Sequence, residues 1–104
     1  MVMADMPYGE NKMTLIDVIN KLDSFDDDDN IYVKRPWKPE SEAIVAIDPD
    51  TGGIPIDAKK INAEYFLEIF IAAEFLEGWL LNVAQKQSAE EQCLRLIKYA
   101  ENDA

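Results

Sequence analysis

The sequence predicts an α+β fold in a single domain, and three observations carry that prediction. The chain has 104 residues, 48% of them hydrophobic, which is enough for one buried core and too little for two. Its apolar periodicity changes along its length, from a helical stripe to short alternating runs and back to a helical stripe. The helical and strand-like segments are also segregated instead of alternating as βα units. The expected architecture is a small antiparallel sheet of about three strands, packed by an N-terminal helix and two C-terminal helices. Residues 14–104 would form this domain, with residues 1–13 as a leading arm that shows no periodicity.

The first helix opens at Thr14, where Thr14 and Asp17 have capping-box spacing. Leu15, Val18, Ile19 and Leu22 then fall on one face, and the helix should end near Asp23 and Ser24. Four consecutive aspartates, Asp26–Asp29, suit a loop and no regular element. Ile31 to Arg35 alternates with β-branched and aromatic residues and reads as a strand. Pro36 and Pro39, on either side of Trp37, interrupt it with a turn on the sheet edge. Glu42 to Ile47 reads as a second strand, antiparallel to the first because the link is short.

Asp48-Pro49-Asp50-Thr51-Gly52-Gly53 is turn chemistry, and Pro55 extends the irregular stretch to about Asp57. Residues 62–84 would be apolar nearly all round as one helix. A strand from Glu64 to Ile71, covered on both faces, followed by a helix from about Ala73 fits better. Gly78 costs that helix about 1 kcal/mol relative to Ala. In the last helix, Ser88 and Glu91 form a capping box, and Cys93, Leu96, Ile97 and Ala100 form the inward stripe.

Charge and composition exclude several chemistries. Lys and Arg number 10 against 21 Asp and Glu, a formal charge of −11, with no His and one Cys. Catalysis through a Ser-His or Cys-His pair is therefore absent, as are imidazole zinc sites and CxxC redox pairs. The negative surplus opposes nucleic-acid backbones and anionic lipid, so neither nucleic acid nor membrane is an expected partner. No apolar run reaches the ~18 residues of a membrane span, and the N-terminus lacks a signal pattern, so the expected compartment is the cytoplasm.

Two acidic segments invite a calcium reading. Counted from Asp26, position 6 is Ile31 and position 12 is Trp37; counted from Asp48, Gly53 falls at position 6 but Lys59 at position 12. Both frames lack the bidentate ligand, so no metal or other cofactor is expected. Glu64 with Glu68, or Glu74 with Glu77, are the carboxylate pairs open to acid–base work, but such pairs are common on solvated faces.

Lys34, Arg35 and Lys38 around Trp37 form the one basic cluster. Trp37 is either an interface anchor or a ring folded back on the sheet while the cations pair with the aspartates. Trp79, Phe75 and Cys93 read as core.

The segments IYVKRPWKPESEAIVAIDPD and EYFLEIFIAAEFLEGW, with the closing QCLRLIKYAENDA, resemble a family of small bacterial proteins of no assigned activity, over most of residues 14–104. By type, the chain is similar to immunity proteins of contact-dependent growth inhibition and other polymorphic toxin systems. That resemblance implies a non-catalytic inhibitor whose partner is a basic protein toxin domain. An acidic protein can fill a nuclease's cationic cleft with carboxylates in place of phosphates. The candidate steering residues are then Asp26, Asp27, Asp28 and Asp29, with Glu40, Glu42, Asp48 and Asp50 as an acidic rim and Tyr32 and Trp37 as anchors. A structural or regulatory interaction module, dimerising through an exposed sheet edge, is the alternative.

Overall fold

The computed structural model of the chain describes residues 13–47, 53–83 and 85–103; the expectations for residues 1–12, Asp48 and Asp50 lie outside these. The described elements are β1 (Met13–Thr14), α1 (Leu15–Asn20), β2 (Asn30–Lys34), β3 (Glu42–Ala46), α2 (Ile56–Lys60), β4 (Ala63–Glu68), α3 (Ile69–Asn82) and α4 (Ala89–Asp103). A 3-10 turn at Leu22–Ser24 follows α1. The strands form one antiparallel sheet in the order β1-β3-β2-β4. The α+β class is as the sequence predicts, with one more strand than expected.

Both predicted capping boxes form. The Thr14 N–H donates to Asp17 Oδ2 at 3.0 Å and the Asp17 N–H donates to Thr14 Oγ1 at 3.2 Å. Hydrogen bonds to it from the Thr14 backbone and then the Thr14 side chain hold the Asp17 carboxyl below the usual carboxylate range. At α4, the Glu91 N–H donates to Ser88 Oγ at 3.1 Å and the Ser88 N–H to Glu91 Oε1 at 3.2 Å.

Four expectations need correction. Met13, assigned to the leading arm, pairs with Ala43 as half of β1, a strand too short to show alternation. The turn after β2 is not on the sheet edge, because β2 lies between β3 and β4 and β1 covers part of β3. Residues Ile56–Lys60 form a helix of a single turn or so where an irregular link was expected. Pro55, with its φ of −57°, precedes it, and five residues are too few to display a helical period. Asn62 then takes φ 58°, a left-handed position that Asn tolerates, and turns the chain into β4.

The fourth correction concerns 64–71. The split into strand and helix is right, but β4 ends at Glu68 and α3 begins at Ile69. No side chain caps α3 at Glu68. Instead the Ile69 N–H donates to Asp29 O at 2.9 Å and the Phe70 N–H to Asp27 O at 3.3 Å. The cap comes from a loop some forty positions earlier, so the local sequence carries no trace of it. The doubly apolar look of β4 also has a cause. Ile31 pairs with Leu67 and Tyr32 with Tyr65, leaving Phe66 as a bulge residue that turns inward beside Leu67.

The main core lies between one sheet face and α1, α3 and α4. Ile31, Val33, Phe66 and Leu67 from the sheet meet Leu15 and Val18 of α1, Ala72 and Leu76 of α3, and Cys93, Leu96 and Ala100 of α4. Phe75 and Tyr99 stack at 4.4 Å between α3 and α4. Truncating a fully buried side chain such as Leu96 would cost about 2–5 kcal/mol. The opposite sheet face carries a smaller cluster in which Tyr32 packs with Ala58 and Ala63. Among the described residues, no helix is long and apolar enough to cross a membrane.

Candidate functional site

The five residues of β2 separate the candidate residues into two groups. Asp26–Asp29 precede β2 at one end of the sheet, where Asn30 pairs with Ala46 and Glu68. Trp37, Glu40 and Glu42 lie at the other end, where Val33 pairs with Ala43. Asp48 and Asp50 lie outside the described residues. Tyr32 sits between the groups and is 1% exposed, edge-on to Tyr65 at 6.2 Å. Its ring belongs to the smaller core and offers no surface to a partner in this structure.

At the second end, Trp37 folds back on the sheet. Its indole N–H donates to Val33 O at 3.1 Å, and its ring meets Phe66 edge-on at 4.9 Å. The Arg35 guanidinium lies 3.8 Å over the indole, a cation–π contact. The cations do not pair with the aspartates: Arg35 reaches Glu64 at 3.2 Å and Glu101 at 3.6 Å instead. The Arg35–Pro36 peptide is cis. Ser41 Oγ ties the turn together, accepting from the Lys38 N–H at 2.9 Å and donating to Pro36 O at 2.7 Å. An open depression here is lined by Lys34, Arg35 and Lys38 together with Glu40, Ser41 and Glu42. Its charges are mixed, three cations against two carboxylates.

The first end differs in its charge. The aspartate loop is ordered by its own backbone: the Asp29 N–H donates to Asp26 O at 3.0 Å, and the Asp26 N–H to Asp29 Oδ2 at 3.3 Å. Two of its carbonyls accept from the first N–H groups of α3, so the carboxylates gather at that helix's positive end. Asp26, Asp27 and Asp28 are exposed. None of Asp26–Asp29, Glu68, Glu74 or Glu77 has a Lys or Arg nitrogen within 4.0 Å among the described residues. Two large apolar side chains are exposed at the same end, Phe70 at 46% and Ile47 at 69%.

Phe70, Glu68, Glu74 and Glu77 escaped the sequence reading as interface residues, yet a signal for them existed. Segments 22–33 and 61–85 contain no Lys or Arg, and between them hold Asp23, Asp26–Asp29, Glu64, Glu68, Glu74 and Glu77. The loop-to-helix hydrogen bonds bring these two cation-free segments together. Of their acids, Glu64 alone has a cationic partner within salt-bridge distance among the described residues.

Among the described residues, no three Cys, Asp or Glu side chains stand where one ion could be held. Burial pushes the Cys93 thiol up to about 12, with Glu40 and Glu90 adding to the shift, so in the folded chain it stays protonated and is a poor nucleophile. Compared with protein-family models, with curated proteins and with solved structures, the chain matches none.

Proposed function

We propose that the chain is a cytoplasmic inhibitor of the immunity type, which binds a basic toxin domain such as a nuclease and covers its cationic cleft. One observation carries this reading. Carboxylates without a cationic partner among the described residues, from two cation-free segments, meet at one end of the molecule, beside an exposed phenylalanine. Carboxylates there occupy the positions that substrate phosphates would take in the partner's cleft. Steering of this kind raises association toward ~10⁸ M⁻¹s⁻¹ at low salt. Residence requires desolvated apolar contact as well, and Phe70 supplies it in place of Tyr32 and Trp37, whose rings are committed to the fold.

The reading predicts, in the genome of origin, an upstream frame for a large secreted protein with a variable C-terminal domain. Mixing that domain with the full chain should give a one-to-one complex in analytical ultracentrifugation and abolish the domain's activity. Replacing Asp26, Asp27 and Asp28 by Asn should slow association about tenfold and flatten its salt dependence. A domain that stays active in excess of this protein overturns the reading. A stable self-dimer through β4, which pairs on one side only with β2 among the described residues, would favour a structural interaction module instead.

A further inference from the structure

We propose that the outward face of α3 is a docking track for a basic amphipathic helix of the partner. This rests on the reading that the partner is a basic protein, and adds which surface grips it and what form of chain it presents. At 3.6 residues per turn, Phe70, Glu74, Glu77, Gly78 and Leu81 fall within about 100° of one another. All are exposed, Phe70 by 46% and Leu81 by 82%. The stripe is apolar at both ends and acidic between, and at its Phe70 end it is hydrogen-bonded to the aspartate loop.

Gly78 is an independent sign. It lies inside a helix, where Gly is disfavoured, and a Cβ added to it would meet nothing within 4 Å. No packing among the described residues requires a glycine there. The missing side chain leaves a flat place on the track where a second backbone can approach closely. The occupant is a helix and not a strand, since an α-helix face offers no backbone groups to pair with a strand's N–H and C=O. A helix satisfies its own, and its apolar residues three turns apart match Phe70 and Leu81, about 16 Å apart along the axis. Lys or Arg between them would meet Glu74 and Glu77.

Two amidated Lys/Leu peptides of about 18 residues test this, one with its leucines on a single helical face and one a scramble of the same composition. The full-length, isotope-labelled chain is titrated with each, following backbone amide shifts. The amphipathic peptide should shift amides along 70–81 and bind at least tenfold more tightly than the scramble. Phe70→Ala with Leu81→Ala should erase that difference while leaving the melting temperature near wild type. Gly78→Ala should raise the melting temperature yet weaken the amphipathic peptide several-fold, a combination that a purely structural glycine does not give. Equal binding of the two peptides, or shifts centred on Ile47 and Ile56 instead, overturns the track. If both peptides bind equally and both weaken when Asp26–Asp28 become Asn, the track fails while the basic-partner reading stands. If neither binds at low salt, both fall.

Discussion

The two ends of β2 use the same device and put it to different ends. At each, a loop closes on the start of a helix and accepts its first backbone N–H groups through carbonyls. After β2, Ser41 O accepts from the Leu15 N–H and Pro39 O from the Ile16 N–H, each at 2.9 Å. Before β2, Asp29 and Asp27 do the same for α3. In the loop after β2, Arg35 and Trp37 are absorbed internally: Arg35 bonds two glutamates and covers Trp37, which bonds Val33 and packs on Phe66. The loop before β2 holds Asp26, Asp27 and Asp28 outward, without cationic partners among the described residues. Backbone capping therefore accounts for the shape of both loops, and does not account for four aspartates in one of them. Asn, Ser or Gly would supply the same carbonyls. Apart from the Asp29 carboxylate bonded to the Asp26 N–H and the attraction of the helix end, the charge of Asp26, Asp27 and Asp28 meets no cationic partner among the described residues, and the function proposed above gives it a role in recognition.

The largest expected contrast is in stability. Trp37→Ala should cost about 2–3 kcal/mol in urea unfolding, somewhat less than truncating a fully buried tryptophan. Replacing Asp26, Asp27 and Asp28 by Asn should move the same curve by less than about 1 kcal/mol, because lost helix-end attraction and relieved repulsion oppose each other. If the aspartate variant costs as much as the tryptophan variant, the loop is structural and the contrast fails.

Next in size is the side-chain cap that α1 has and α3 lacks. Thr14→Ala should cost about 1 kcal/mol at neutral pH. Because the folded carboxyl of Asp17 titrates below its unfolded value, its contribution is fully present above about pH 4 and disappears as pH falls through the lower folded value. The stability gap between wild type and Asp17→Ala should therefore narrow in acid, when measured by thermal melts across that range. A gap that widens in acid would contradict the capping geometry.

Smallest is Arg35→Gln, which removes one cation–π contact and two half-exposed ion pairs. It should cost under about 1 kcal/mol, and less in high salt.

Local chemistry made most of the fold legible. Thr14 with Asp17 and Ser88 with Glu91 name their own helix starts, and the inward stripe of Cys93, Leu96, Ile97 and Ala100 is where its spacing puts it. What stayed hidden depends on contacts remote in sequence. The start of α3 is set by carbonyls of Asp27 and Asp29, and the doubly inward Phe66 and Leu67 by a bulge opposite Ile31 and Tyr32. The candidate site was half legible. The aspartate run announced itself, and the lack of Lys and Arg in 61–85 was a signal for Glu74 and Glu77, but that this segment adjoins the run became visible only in the fold. Tyr32 and Trp37 have the composition of interface anchors, and composition cannot tell a ring that faces a partner from one that faces the core.

The central claim is that negative potential is concentrated along the aspartate loop and α3 and is weak around Lys34–Lys38. Paramagnetic relaxation of backbone amides by paired cationic and anionic nitroxides reads this potential directly in the full-length chain. We expect the cationic probe to relax amides of 26–29 and 70–81 far more than the anionic one, with that preference shrinking or reversing at 34–38. An equal preference at both ends would contradict it.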